Sequence, residues 1–265
     1  MKRTREQFPT GLILKEYQNK IYRLALSISR NEKDAEDIAQ NTFIKVLRKL
    51  PTFSGRSKLS TWIYRIAYNE SLMYLRKKRR LFNSSDAYLD YAKRLPAGLL
   101  VNWSKLPDEE LLDEELRDRI DSVLKNLPIE YRMPVLLHHI EGFSLAEISK
   151  ILSIKVTTVK TRLHRAYLMF KEKISAYFRD LPEREVKEEK SCGIWNKFLF
   201  DYAKEELNPK RKQSFDRHIK DCPHCNTFLN SYLKAISITG ALACRDIPKE
   251  LKERLEAFLL PQKNT

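Results

Sequence analysis

A histidine and two cysteines near the C-terminus are spaced like metal ligands. His218, Cys222 and Cys225 stand in the run His-Ile-Lys-Asp-Cys-Pro-His-Cys. Residues four apart share one face of a helix, and Cys225 follows within about one further turn. Tetrahedral Zn²⁺ takes four nitrogen or sulfur ligands, and Cys192 offers the fourth. The pattern predicts one zinc ion, structural or redox-responsive, held by Cys192, His218, Cys222 and Cys225.

Other roles for these cysteines stay open at this point. Cys222 and Cys225 also have the spacing of an oxidoreductase dithiol, whose reactive thiolate sits at the start of a helix that follows a strand. No strand is predicted before Cys222. A third interpretation is that the cysteines are buried as small apolar residues and bind no metal. This interpretation is favoured for Cys244, which lies outside the motif. His224 is an alternative ligand with less favourable spacing than His218.

The composition indicates the class of partner. The chain has 265 residues, and its 50 basic and 35 acidic residues leave a net charge of +15. Such a charge favours an anionic partner, with nucleic acid the leading candidate. No apolar run approaches the roughly 18 residues that a membrane-spanning helix needs, and no signal peptide follows Met1. We therefore expect a cytoplasmic protein that does not bind a membrane.

Helical periodicity dominates the segments that must position these residues. Apolar residues recur three and four apart, and alternating β-branched runs of useful length are absent, which predicts an all-α fold. Asn31 precedes one helix that Pro51 ends, and Ser60 and Thr61 are expected to cap the next. Changes in composition predict five segments: a helical domain over 10–80, a linker over 81–112, a helical domain over 113–180, a linker over 181–190 and the cysteine-bearing tail over 191–265.

A helix-turn-helix is predicted within the second helical domain. Ser144 and Glu147 have the spacing of a capping box at the start of its first helix. The expected order is a helix over 131–140, a break at Gly142, a helix over 145–152, a turn over 153–155, and a helix from Thr157 or Thr158 to about Lys173. Two short helices around a tight turn are the arrangement that reads DNA.

The second helix of this motif carries the candidate DNA-reading side chains. Val159, Leu163 and Ala166 are expected to face inward. Polar and basic residues occupy the first two turns, the part of a recognition helix that contacts base edges: Lys160, Thr161, Arg162, His164 and Arg165. An ordinary helical hairpin with a solvated basic face is the alternative.

Two blocks of sequence resemble the extracytoplasmic-function sigma factors. The run from Asp34 to Phe43 and the run from Phe53 to Asn69 are similar to sigma region 2. The runs 127–132, 141–148 and 158–166 are similar to region 4. The resemblance covers about residues 12–178. It implies a transcription initiation factor that binds core RNA polymerase and promoter DNA, and not an enzyme.

The resemblance also implies roles for individual residues. Asp34, Asp37, Gln40 and Phe43 would dock on core polymerase. The stretch from Phe53 to Arg76 would bind and open the −10 element, and the residues implicated in DNA contact there are Arg65, Asn69, Arg76, Lys77 and Lys78, the last three through phosphates. The five polar residues on the second helix of the helix-turn-helix would read the −35 element.

The cysteine-bearing tail resembles the zinc-binding anti-sigma domain family, which likewise has an upstream cysteine and a His-x3-Cys-x2-Cys run. That resemblance implies that the tail contacts regions 2 and 4 within the same chain and tunes sigma activity. Inhibition, activation and simple stabilisation all stay open. Two other functions remain as alternatives: a helix-turn-helix regulator that does not bind core polymerase, and a thiol oxidoreductase that uses Cys222 and Cys225.

Overall fold

The computed structural model describes residues 10–81, 122–124, 126–174, 198–240, 250, 252–253 and 257. The segments predicted as linkers, 81–112 and 181–190, lie outside these residues except for Leu81, and so do Cys192 and Cys244. All regular elements of the described residues are helical, which confirms the all-α prediction. None of their helices is both long and apolar enough to cross a membrane.

The described residues include nine long or short α-helices, numbered here along the chain. They are α1 (Thr10–Ser29), α2 (Glu32–Lys49), α3 (Leu59–Leu81), α4 (Ile129–Val135), α5 (Leu145–Leu152), α6 (Val156–Ile174), α7 (Leu199–Ala203), α8 (Pro209–Asp221) and α9 (Pro223–Gly240). The chain divides into two compact units. Helices α1, α2, α3 and α5 belong to the first, and α4, α6, α7, α8 and α9 to the second.

Local signals explain where α2 begins and ends. The side chain of Asn31 accepts a hydrogen bond from the Asp34 N–H at 3.0 Å, which caps the helix. A 3-10 turn over Leu50–Thr52 follows the helix and contains Pro51, as predicted. The buried face of α2 packs against α1 and α3, and Phe43 and Val46 are fully enclosed there.

The start of α3 differs from the prediction. The helix begins at Leu59, so Ser60 and Thr61 lie inside its first turn and do not cap it. The Trp62 N–H already donates to the Lys58 carbonyl at 3.2 Å, and this bond extends the first turn back toward Lys58. Within the same unit, the rings of Tyr64 and Phe143 meet edge to face at 4.7 Å and join α3 to the segment that leads into α5.

The helix-turn-helix elements lie along the chain nearly as predicted. Ser144 and Glu147 form the expected capping box on α5, and Ser153 ends that helix in a left-handed conformation with φ of 56°. Helix α6 begins at Val156, earlier than the predicted Thr157 or Thr158. The reason is that the Val159 N–H donates to the Lys155 carbonyl at 3.0 Å, which closes the first turn early.

The segment predicted as one helix over 131–140 contains two helical forms. The α-helical part, α4, starts at Ile129 and ends at Val135, and a π-helical turn then runs over Leu136–Ile140. Pro134, which has no N–H to donate, lies just before this change. The buried guanidinium of Arg132 donates to the Leu127 carbonyl at 3.2 Å and ties the preceding segment to α4.

Helix α6 is the centre of the second unit. Val159, Leu163 and Ala166 have no exposed surface, which confirms their inward orientation. Helices α4, α7 and α9 all pack against α6, and α8 packs against α9. Consequently, the C-terminal helices share one core with the second helix of the helix-turn-helix.

Candidate functional site

Helix α3 presents a basic stripe to solvent. Arg65, Asn69 and Arg76 are exposed and spaced by four and seven residues, so they share one face. Lys77 is exposed beside them, whereas Lys78 is half-buried. Exposed cations along a helix suit the phosphates of DNA, which supply affinity without sequence information. Their role in DNA binding stays a prediction.

The four residues predicted on α2 for polymerase binding lie in different environments. Asp37 is exposed and Gln40 is half-exposed. Asp34 is buried and pairs with the ammonium of Lys78 at 2.6 Å. Phe43 is fully buried in the core. The surface of α2 near Asp37 and Gln40 instead exposes Ile44, seven residues after Asp37 and on the same face.

One side of α6 is covered by the C-terminal helices. The Lys160 ammonium lies 2.8 Å from the Asp201 carboxylate and 2.7 Å from that of Glu206. One turn on, the Tyr232 hydroxyl and Nδ1 of His164 share a hydrogen bond of 3.0 Å.

Aromatic packing continues this covered side. Tyr167 stacks on Phe200 with ring centroids 6.2 Å apart and meets Tyr232 edge to face at 5.7 Å. Farther along, the Lys171 ammonium lies 3.6 Å above the ring of Phe228. The covered α6 residues, 160, 164, 167 and 171, are spaced by three and four and therefore form a single helical face.

The other predicted DNA-reading residues of α6 lie outside this covered face. Thr161 and Arg165 are exposed, and Arg162 is partly exposed. Arg165 donates to the Tyr131 hydroxyl at 3.4 Å, a long contact with α4. Two of the five predicted residues, Lys160 and His164, hydrogen-bond side chains of the described C-terminal segment.

The His–Cys cluster forms the junction between α8 and α9. The ligand atoms of His218, Cys222 and Cys225 all lie within 4.8 Å of one another. Zinc–sulfur bonds near 2.3 Å place two sulfurs about 3.8 Å apart in a tetrahedral site, so small side-chain adjustments would bring the three onto one ion. Cys192 lies outside the described residues. Soft sulfur and imidazole donors are the set that Zn²⁺ prefers.

The backbone at this junction supports the cluster. The Cys222 N–H donates to the His218 carbonyl at 2.8 Å, and Pro223 begins α9 directly afterwards. A helix precedes Cys222, and no strand occurs among the described residues. The strand-to-helix context of a dithiol oxidoreductase is therefore absent from the described part of the chain.

Comparisons with known proteins agree with the two helical domains. The model of Sigma-70 region 2 matches residues 13–81, and that of Sigma-70 region 4 matches residues 117–169. The chain is 38% identical over 170 residues to the ECF RNA polymerase sigma factor SigW of Bacillus subtilis, covering 62% of this chain and 86% of that protein. The chain belongs to the extracytoplasmic-function sigma factors. This family directs transcription initiation and does not consist of enzymes.

A second curated relative agrees with this assignment. The ECF RNA polymerase sigma-E factor of Haemophilus influenzae is 34% identical over 165 residues, which cover 62% of this chain and 86% of that protein. A solved structure of the sigma factor RpoE with the anti-sigma factor NepR from Bartonella quintana is also similar. It has 23% identity and a TM-score of 0.47, and it covers 65% of this chain and 98% of that one.

Hydrogen bonds and burial shift the pKa values of side chains on the covered face of this sigma factor. Hydrogen bonds to Asp201 and then Glu206 raise the pKa of Lys160, so the cation is retained. Burial, with a smaller effect of Arg165, lowers the pKa of His164. Burial also raises the pKa of Tyr232. The His164–Tyr232 contact is therefore a hydrogen bond between neutral groups.

A neighbouring histidine behaves in the same way. His139 hydrogen-bonds the Tyr167 hydroxyl at 2.5 Å. Burial, followed by the charges of His138 and Lys204, lowers the pKa of His139 to about 3. The interior of the second unit thus holds neutral His–Tyr pairs beside α6.

Several residues that contact α6 could not be identified from the sequence pattern. Asp201, Glu206 and Tyr232 touch α6 from positions 41 to 68 residues away, and their spacing resembles an ordinary amphipathic segment. Ile44 is different, because helical periodicity alone places it on the same face as Asp37, about 100° around the helix from Phe43. That signal was available in the sequence.

Proposed function

We propose that this sigma factor binds core RNA polymerase through α2, contacts promoter DNA through α3 and α6, and carries its own regulator in residues 191–265. It acts in the cytoplasm as a non-enzymatic initiation factor. The observation that carries the regulatory part is the packing of α7 and α9 on α6, through Lys160, His164 and Tyr167.

The polymerase-binding surface proposed here is the exposed face of α2. Asp37 and Gln40 supply the acidic and amide groups, and Ile44, 41% exposed, supplies the apolar centre. An exposed apolar residue ringed by polar groups is typical of the centre of a protein interface. Phe43 and Asp34 support this helix from the inside.

The proposed metal is one Zn²⁺ bound by His218, Cys222, Cys225 and Cys192. When bound, zinc would join α8 to α9 and supply folding energy to a small helical module. The metal site would hold the position of α9, because Cys225 lies in the first turn of the helix that carries Tyr232 to α6. The metal is thereby linked to the covered face of α6.

Metal analysis tests the zinc proposal on the purified full-length chain. We expect one zinc per chain by inductively coupled plasma mass spectrometry, and loss of most of it in Cys222→Ser. Cys244→Ser is the matched control, since Cys244 lies outside the motif, and it should retain the metal. Equal zinc content in both variants would refute this ligand set.

Direct binding to core RNA polymerase tests the main function. Labelled full-length chain should bind purified core enzyme and support transcription from a promoter enriched from a random-sequence library. A chain that binds duplex DNA but not core polymerase would instead be a helix-turn-helix regulator. Dithiol exchange activity without polymerase binding would favour the oxidoreductase alternative.

A further inference from the structure

The contacts on α6 identify what the C-terminal helices cover. Lys160 lies in the second turn of α6 and His164 at the start of the third, in the N-terminal half of the helix, and the N-terminal residues of a recognition helix approach base edges. Both side chains already bind groups of the C-terminal segment: the carboxylates of Asp201 in α7 and of Glu206 just after it, and the hydroxyl of Tyr232 in α9. The covered residues are therefore among those predicted to bind DNA.

The width of the DNA major groove shows why a covered α6 could not enter it. A major groove is about 12 Å wide, and an α-helix with its side chains is about 10–12 Å across. A recognition helix consequently fills the groove and leaves no room for a second helix along its reading side. Helices α7 and α9 both pack against α6, and contact continues as far as Lys171.

The chemistry of the contact also matches that of DNA. The Lys160 ammonium binds two carboxylates, one from Asp201 and one from Glu206, at 2.8 and 2.7 Å. Phosphate oxygens are the anionic acceptors that a lysine binds on a DNA backbone. The two acidic side chains thus pair the cation with anionic oxygens, as the phosphates of a nucleic acid would.

We infer that the C-terminal helices and promoter DNA compete for the same face of α6, with Asp201 and Glu206 standing in for backbone phosphate at Lys160. This inference rests on the proposed function and gives it a direction: the tail inhibits, and it does so at the DNA-reading helix. Promoter binding then requires α7 and α9 to leave α6.

The first test neutralises the two carboxylates in the full-length chain. Asp201→Asn with Glu206→Gln should bind a duplex of roughly three helical turns more tightly than the wild type, by roughly fivefold to tenfold at low salt. This duplex is selected beforehand from a random-sequence library by its binding to the double variant. The slope of log K against log salt should become steeper by about 0.9, because Lys160 gains one phosphate.

Matched variants separate this effect from net charge. Glu205→Gln with Glu250→Gln removes the same two charges from exposed positions and should change DNA affinity much less. Adding Lys160→Ala to Asp201→Asn and Glu206→Gln should abolish the gain. Tyr232→Phe leaves the net charge unchanged and removes the hydroxyl that hydrogen-bonds His164. It therefore provides a second variant if the charge variant folds poorly.

Hydrogen–deuterium exchange tests the competition directly. Saturating the full-length chain with the same duplex should accelerate amide exchange in α7 and α9. Unchanged exchange in these helices while DNA is bound would overturn the inference, as would an equal gain in the charge-matched control. Binding to core polymerase is measured on the same samples, so its failure would refute the proposed function separately.

Discussion

The Lys78 ammonium lies 2.6 Å from both carboxylate oxygens of Asp34, and the Tyr74 hydroxyl donates to the same carboxylate at 2.9 Å. This pair, buried at Asp34 and half-buried at Lys78, joins α3 to the first turn of α2. Asp34 and Lys78 were predicted to bind two different partners, polymerase and DNA. In the structure they bind each other.

Replacing Asp34 should therefore affect stability. Asp34→Asn removes the charged partner that lies 2.6 Å from the Lys78 ammonium, and we expect a loss of about 2–3 kcal/mol in the free energy of unfolding, since Lys78 keeps some contact with solvent. Asp37→Asn, at an exposed position three residues on, should cost less than about 0.5 kcal/mol and should weaken polymerase binding. Urea unfolding and polymerase titration measure the two effects. Equal stability of the two variants would contradict this account.

Phe43 and Ile44 should separate folding from binding. Phe43→Ala should lose about 3–5 kcal/mol of stability, because it leaves a cavity in a closed core. Ile44→Ala should fold normally and bind core polymerase about fivefold more weakly, which corresponds to about 1 kcal/mol. Leu12→Ala, at an exposed apolar position on α1, is the control for general surface effects. An affinity for polymerase unchanged in Ile44→Ala would exclude this surface.

The basic stripe of α3 should be visible in the salt dependence of DNA binding. Arg76→Ala removes one exposed cation, and the slope of log K against log salt should become shallower by about 0.9. Lys78→Ala should leave the slope near the wild-type value, because Lys78 pairs with Asp34, and should reduce stability instead. Lys33→Ala, an exposed position on α2, serves as the charge control. A slope change as large in Lys33→Ala would show that the effect is not specific to the stripe.

The capping carboxylate of α5 should give a stability that depends on pH. A hydrogen bond from Lys58, with further ones from Ser144, lowers the pKa of Glu147 to about 2 from 4.5. Its stabilising effect is therefore complete above pH 4.5 and is lost as the pH falls toward 2. Glu147→Gln should be less stable than the wild type near neutral pH, and the difference should shrink in acid.

Unfolding curves at a series of pH values measure that difference. Glu205→Gln, at an exposed position, is the control and should differ little from the wild type throughout. Ser144→Ala should cost about 1 kcal/mol near neutral pH, because it removes the hydroxyl half of the capping box. If the loss of stability in Glu147→Gln stayed equally large in acid, ionisation of Glu147 would be excluded as its cause.

Local chemistry explains the part of the fold that was predictable. Asn31 and Ser144 cap helices through their own side chains, and Pro51 follows a helix end because it has no N–H to donate. The spacing of Val159, Leu163 and Ala166 likewise determined the buried face of α6. The same periodicity placed Phe43 in the apolar stripe of α2, which argues against a direct contact with polymerase.

Features that depend on long-range contacts were decided only by the tertiary structure. The pairing of Asp34 with Lys78 joins positions 44 residues apart, and that of Lys160 with Glu206 joins positions 46 apart. A basic residue on a helix has the same sequence pattern whether it faces water, DNA or a carboxylate. The sequence by itself thus determined the family, the helices and the spacing of the His–Cys motif. Which cations remain exposed, and which are already paired, was set by packing, because a charge is buried only where the fold brings an opposite charge to it.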